Sequence, residues 1–491
     1  MDERSTDDRT RQPLPSSHDC RAIETHISRL FFTPDRVYKL LKPIRTGFLD
    51  HTDPVRRVAA VAAELELNRR LAPDVYLGTA DLREDDRLAD RLIIMRRLPD
   101  DRRLSARVNS PDFHDDLRLV ARAVATFHAG LPPVTEPVPL ATAAGLAGFW
   151  KSSFDDLAPL VGRLFDPDEY AEVTSLAPDY LSHHSELFES RRAAGFVRDG
   201  HGDLIAHDIF MLDDGPRILD CLAFDDAYRV SDVLADIAFL VMDVERLAGR
   251  AAAHELLRWY CEYTNEHHPS SLAHHYVAYR AHVRAKVAAL RWQQGDDASA
   301  DEARRHHRQA RDHLRRARGT LLLLGGGPGT GKTTIADALS GALGWPTVDS
   351  DTLRKDLRGI DHNDHRVDMH PDLYGNTTTD DTYRELVDHA STMLAAGESV
   401  IIDATWARSA HRELARRAAH QQGAQLVEIE CTLHPELAKQ RILQRQRSGT
   451  DASDATPDLV GGVRDIWPSA IPVDTSASVD AVCNEVIGRI V

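Results

Sequence analysis

Eight consecutive residues, Gly326-Gly327-Pro328-Gly329-Thr330-Gly331-Lys332-Thr333, satisfy the pattern G-x-x-x-x-G-K-[ST]. Glycines at these positions let backbone N–H groups turn inward on phosphate oxygens. The helix that begins behind them adds roughly half a positive charge at its N-terminus. Lys332 is placed to reach β and γ phosphates, the Thr333 hydroxyl to bind Mg²⁺, and Thr334 to extend the binding segment. An apolar run, Thr320 to Leu324, precedes the loop, and a helical stretch, Lys332 to Leu343, follows it. A strand, a loop and a helix in that order are what phosphate binding requires. The loop implies ATP or GTP and leaves the reaction open.

The reaction depends on nearby acids. Val348-Asp349-Ser350-Asp351 ends the next strand, with Arg354 and Lys355 just beyond. A carboxylate at such a tip can take a proton from a substrate hydroxyl. Asp351 is the first choice and Asp349 the second. Asp351 is also a candidate cap for a helix over Thr352 to Arg358. The apolar strand Ser399 to Ile402 ends in Asp403, which suits the water shell of Mg²⁺, a substrate contact or a helix N-cap. Arg441 and Arg445 lie four apart on one helical face, followed by Arg447. They either clamp a transferring phosphoryl group or simply end a basic helix.

A second constellation lies in the first half of the chain. Asp203 stands in His201-Gly202-Asp203, Asp208 comes five residues later, and Asp220 twelve after that. Two short apolar runs around Asp213-Asp214-Gly215-Pro216 make a small hairpin between these acids. Three acids so arranged can serve phosphoryl transfer, one at the nucleophile and two on Mg²⁺. Turn and capping aspartates would have the same spacing.

The elements that must hold these groups follow from apolar periodicity. Ile23 to Phe32 and Arg36 to Ile44 flank Thr33-Pro34-Asp35 and are expected to form a hairpin. Asp53-Pro54 opens a helix running from Val55 to about Leu71, and Leu92 to Met95 is a strand. From about Asp112 to Leu290 the pattern is mainly helical. After Gly319 it alternates strand and helix, with Thr320 to Leu324, Ser399 to Ile402 and Gln425 to Cys431 as strands of a buried parallel sheet. Residues 296–318 hold seven arginines and three histidines. They are taken as a solvated helical linker rather than a nucleic-acid patch.

These motifs resemble two families. Residues 319–491 resemble the small P-loop kinases that include gluconate kinase, polynucleotide kinase and the zeta toxins. The matching pieces are the loop, Ser350 to Lys355, Asp403-Ala404-Thr405, and Ala452 to Thr456. That resemblance implies Asp351 as the base and Arg354 on substrate or phosphate. Residues 21–295 resemble the aminoglycoside phosphotransferase-like branch of the protein-kinase-like fold, with an N-lobe over 21–100 and a C-lobe over 101–295. It implies Asp203 as the base, Asp208 and Asp220 on Mg²⁺, and Asp232 and Asp236 as structural acids. Lys39, paired with Glu64, is implied to place the α and β phosphates, with Lys42 a rival, and Ile94 to Leu98 to form the hinge over adenine. The family usually has asparagine where this chain has Asp208, and the first hairpin lacks a glycine-rich loop. A silent, ligand-sensing first domain therefore stays open beside an active one. The domain order resembles a bacterial family of fused phosphotransferase and ATP-binding proteins. The expected fold class is an α+β bilobal protein-kinase-like domain followed by an α/β P-loop domain. The implied cofactors are ATP and Mg²⁺, with small-molecule hydroxyls as acceptors.

Bulk composition fits this. The chain has 491 residues and a formal net charge of −17, which disfavours nucleic acid or an anionic membrane as main partner. Its five cysteines have no metal or redox spacing, so a reducing cytoplasm is expected. Residues 1–20 are polar and expected to be a disordered tail, and no run is long enough to span a membrane. Histidine pairs at 183–184, 267–268, 274–275 and 306–307 are expected at the surface. Cys221, beside Asp220, is expected to be a buried small apolar residue.

Overall fold

The computed structural model describes residues 21–25, 27–45, 50–85, 87–360, 375–448, 457 and 460–490. The expected tail at 1–20 and the Ala452 to Thr456 match lie outside them. Packing divides the chain into two units, one of 1–141 with 192–266 and one of 142–191 with 267–491.

The chain opens with β1 (Arg21–Glu24), β2 (Ser28–Phe32) and β3 (Arg36–Leu41). The turn at Thr33 closes as expected, because the Thr33 hydroxyl accepts from Arg36 N at 3.2 Å and Phe32 pairs with Val37. The longer run before it breaks into two strands, with Ile23 paired to Leu30. Helix α1 (Pro54–Arg69) starts at Asp53, whose carboxylate accepts from Val55 N. Then come β4 (Tyr76–Glu84) and β5 (Arg87–Arg96), in a sheet of order β1-β2-β3-β5-β4 with every pair antiparallel. Strand β4 carries Gly78, Thr79, Asp81 and Arg83, so it has no apolar signature. Val61 of α1 packs onto Val37, Leu41 and Ile93 of the sheet, which fixes α1 against β3.

Helices α2 (Phe113–Gly130), α3 (Ala143–Leu157), α4 (Pro167–His183) and α5 (Ser185–Ala193) follow. The irregular segment expected between helices holds β6 (Val197–Asp199), the hairpin β7 (Ile209–Leu212) and β8 (Gly215–Ile218), and β9 (Val230–Asp232). Next are α6 (Val233–Ala248), α7 (Arg250–Thr264), α8 (Ser270–Gln293) and α9 (Ser299–Ala317).

Helix α9 corrects the expectation of a solvated linker. Ala303, His306, His307, Ala310, Leu314 and Ala317 are all buried, while Arg304, Arg305 and Arg308 face out. The stripe recurs every three to four residues, as for any helix packed on a core. Counting histidine as polar had hidden it. The surface expectation fails for His184, His275, His306 and His307 for the same reason, since all four are buried. Neutral imidazoles stack on Tyr180 and Tyr170 instead, with ring centroids 4.4 Å apart for His275 and 5.9 Å for His307. No group of three or more metal-binding side chains forms among the described residues. Cys221 is buried as expected.

The remainder alternates strand and helix. The elements are β10 (Thr320–Gly326), α10 (Lys332–Leu343), β11 (Thr347–Asp349), α11 (Ser350–Asp356), α12 (Asn376–Ala395), β12 (Val400–Asp403), α13 (Ser409–Gln421), β13 (Gln425–Thr432), α14 (Pro435–Ser448), β14 (Ile471–Asp474) and α15 (Val479–Ile490). The sheet is wholly parallel in the order β11-β12-β10-β13-β14. Leu321 and Leu323 enter one core and Leu322 and Leu324 the other, so β10 is buried on both faces. This explains the continuous apolar run in its sequence. Among the described residues no helix is long and apolar enough to cross a membrane.

Candidate functional site

Chemistry-bearing side chains gather at one place in each unit. In the second, the loop leaves the central strand β10 at the sheet's carboxyl edge and enters α10, the usual place for a ligand in an open α/β sheet. Three glycines hold backbone angles that side chains disfavour, with φ +147° at Gly326, +75° at Gly329 and +87° at Gly331. A Cβ at Gly326 would stand 2.6 Å from Cys431 O, and one at Gly329 would stand 2.6 Å from Ala438 O. Gly326→Ala is therefore expected to weaken nucleotide binding at least tenfold in a calorimetric titration.

The loop is tied from within and from outside. The Thr330 hydroxyl donates to Gly327 O at 2.8 Å, and Lys332 Nζ lies 3.3 Å from the same oxygen. The Thr475 hydroxyl donates to Thr330 O at 2.6 Å. Arg441 donates to Thr475 O at 2.8 Å, and its guanidinium would lie 3.3 Å from a Cβ on Gly331. Arg441 thus stands beside the loop. The Arg445 side chain lies outside the described ones. Pro328 is half-buried, and Thr334 is exposed in the first turn of α10.

Asp403 ends β12 next to this loop, and Thr333 Oγ1 donates to its Oδ2 at 2.6 Å. Its other oxygen is buried and has no hydrogen-bond partner among the described residues. Burial pushes the Asp403 carboxyl up to about 6, against the pull of Lys332 and Thr333. A buried carboxylate oxygen without a donor, next to a threonine hydroxyl, fits a divalent cation.

The acids of the neighbouring strand are resolved. Asp349 caps α11, accepting from Asp351 N at 3.1 Å and Thr352 N at 2.7 Å. The capping role considered for Asp351 belongs to Asp349, because α11 starts at Ser350. Asp351 lies in the first turn, paired with Arg354 at 3.0 Å. The Tyr383 hydroxyl, within the electrostatic reach of Arg354 and Asp351, bonds the Thr405 hydroxyl at 3.0 Å. Tyr383 and Thr475 were not legible as site residues, since each belongs to an unremarkable stretch far from the loop.

In the first unit Lys39 is buried on β3, with Nζ 2.7 Å from both Glu64 of α1 and Asp220. Lys42 instead pairs with Glu24 at the surface. Burial works to lower the Lys39 pKa, but Asp220 and Glu64 outweigh it and hold the ammonium well above its ordinary range. Lys39 in turn lowers Asp220, whereas burial raises Glu64. Asp220 has φ +63°, an uncommon left-handed angle. Its amide is fixed by the Tyr76 hydroxyl at 3.2 Å, and the next amide, that of Cys221, by Asn68 at 2.9 Å. Asp208 is pushed well above the usual carboxylate range by burial and by the charges of Asp220 and Asp203. Asp208 and Asp220 lie within electrostatic reach of each other, and a cation shared by the two would relieve their repulsion.

The Asp203 loop is held from below. Buried Asp236 accepts from His201 N at 2.7 Å, Gly202 N at 2.8 Å and His128 Nε2 at 3.0 Å. These partners keep Asp236 below the usual carboxylate range despite its burial. Asp232 caps α6 through Leu234 N at 2.8 Å. Asp236→Ala leaves two buried amides without an acceptor. It is expected to cost about 3–5 kcal/mol, read as a lower urea midpoint. His128, Asn68 and Tyr76 carry no motif and could not have been named beforehand.

Fold and sites together define the class, an α+β region built on an antiparallel sheet followed by an α/β region with a phosphate-binding loop at the edge of a parallel sheet. A family model described as AAA domain (AAA_33) matches residues 321–462. The chain is 32% identical over 457 residues to uncharacterized protein Rv2004c of Mycobacterium tuberculosis, covering 92% of each. It belongs to the family of that protein. Among solved structures it is similar to a choline/ethanolamine kinase family protein from Mesorhizobium loti, with 15% identity, 61% of this chain, 93% of that one and a TM-score of 0.38. It is also similar to the Mycobacterium tuberculosis APS kinase CysC in complex with AMPPNP and APS, with 21% identity, 35% of this chain, 96% of that one and a TM-score of 0.28.

Proposed function

We propose that the protein is a bifunctional ATP-dependent phosphotransferase, each unit moving a γ-phosphoryl group to a small-molecule hydroxyl. The observation that carries this reading is the P-loop at the edge of the sheet, with Thr333 bonded to a buried Asp403 whose other oxygen lacks a partner. A bound magnesium nucleotide supplies the electrophilic phosphoryl group. Asp403 and Thr333 would hold the cation, and the loop amides and Lys332 would bind the phosphates.

Asp351 accepts the proton of the acceptor hydroxyl, and Arg354 orients its carboxylate or contacts the acceptor. Arg441, tied to Thr475 beside the loop, offsets phosphate charge, with Arg445 as its partner in that role. In the first unit Asp203 is the base, Asp208 and Asp220 would hold the cation, and Lys39, fixed by Glu64, would place the α and β phosphates.

Asp351→Asn tests the second site. Asparagine keeps the shape and removes the base, so turnover is expected to fall about 10²–10⁴-fold with nucleotide binding retained. Unchanged turnover would remove Asp351 from this role. A second reading, favoured by Asp208 in place of asparagine, makes the first unit a silent ligand sensor that regulates one C-terminal kinase. Nucleotide uptake without turnover in a chain carrying Lys332→Ala would support it.

A further inference from the structure

The backbone that leads into Asp203 is gripped from two sides. Buried Asp236 takes the amides of His201 and Gly202. The two carbonyls before them go to Arg70, whose Nη1 donates to Asp199 O at 2.8 Å and whose Nη2 donates to Gly200 O at 2.7 Å. One carboxylate and one guanidinium thus fix residues 199–202. The approach is close, since a Cβ at Gly200 would stand 2.4 Å from Asp236 Oδ2.

Arg70 is itself held. It is the C-cap of α1, its Nε donates to Leu67 O at 3.1 Å, and its guanidinium lies over the Phe127 ring of α2 at 5.1 Å. Its Nη1 also lies 3.7 Å from the Asp199 carboxylate, which pairs with buried Arg229. A planar guanidinium offers a fixed fork of donors and can bridge two neighbouring carbonyls, whereas an ammonium is a point charge on a flexible stem. The same helix end reaches two further parts of the first site. Glu64 meets Lys39, and Asn68, whose Nδ2 donates to Glu64 O at 2.8 Å, accepts from Cys221 N beside Asp220. From Glu64 to Arg70 the helix rises only about 9 Å. One short stretch of α1 therefore ties together segments at 39, 199–200 and 220–221.

We propose that Arg70 is a positioning residue that sets the Asp203 loop in register with α1. Asp203, Lys39 and Asp220 then share one frame, and α1 cannot shift without carrying the loop. The role of Asp203 as base rests on the proposed function; the coupling of α1 to residues 199–202 does not.

Hydrogen exchange on the full chain, followed peptide by peptide in a mass spectrometer, is the test. In Arg70→Met, exchange at 199–203 is expected to speed up about tenfold while α7 keeps its wild-type rate. Arg70→Lys retains the charge without the fork and is expected to give an intermediate rate. It also replaces Arg70→Met should that variant not fold. In a chain that also carries Lys332→Ala, Arg70→Met is expected to lower kcat for ATP turnover about tenfold or more and to leave KM for ATP within about twofold, because Arg70 touches the Asp203 loop and not Lys39. Unchanged exchange at 199–203, or equal acceleration in α7, would overturn the proposal. A raised KM with kcat unchanged would do the same. Absence of turnover in the Lys332→Ala parent, with the faster exchange at 199–203 present, would sink the assignment of Asp203 and support the coupling.

Discussion

Lys332→Ala is expected to lower ATP turnover at the second site by about 10²–10³-fold, the usual scale for removing one fixed charge from a phosphoryl-transfer site. Lys332 stands at the start of α10 with Nζ 3.3 Å from Gly327 O, inside the loop it completes. The turnover that remains in this variant is expected to belong to the first unit and to vanish when Asp203→Ala is added. A labelled-ATP assay on wild type, both single variants and the double variant checks this. Equal turnover in the Lys332→Ala and double variants would leave the first unit without catalysis.

The second large effect is on stability in acid. His275 and His282 are fully buried, and neither ring has a hydrogen-bond partner among the described residues. Burial lowers both to about 3, with His184 adding to the effect at His275, and His307 and Lys286 adding to it at His282. Folding therefore keeps them neutral, while the unfolded chain takes up protons below about 6.5. The sign follows directly. Their contribution is fully present above pH 6.5 and is lost as pH falls towards 3. Each group costs about 1.4 kcal/mol per pH unit in that window, so the pair removes about 4 kcal/mol between pH 6.5 and 5. Urea unfolding at pH 7 and pH 5 checks this, and Trp150 fluorescence is a local reporter, since its ring lies 4.6 Å from His282. His282→Phe is expected to flatten the pH dependence. A midpoint that does not move with pH would contradict the account.

These histidines also mark where the sequence stopped being legible. The phosphate loop was legible because its pattern is local: eight residues supply the turn, the amides and the Thr333 hydroxyl together. Asp403 was legible because an apolar run that ends in an acid is itself a local pattern. Lys39 could be set apart from Lys42 only in three dimensions, where Glu64 and Asp220 both reach it. His128 holds Asp236 across 108 positions of sequence, and no spacing rule reports such a contact. Strand β4 was missed because pairing with β5 creates it, not its own side chains. Helix α9 was misjudged because its stripe mixes alanine with histidine, which packs here as an aromatic ring.

The most direct test of the nucleotide sites is the stoichiometry of magnesium ATP uptake by the intact chain. Calorimetry is expected to find two equivalents bound by the wild type and one by a chain carrying Lys332→Ala. Two equivalents in both proteins, or none in either, would contradict the assignment of the 326–333 loop as a nucleotide cradle.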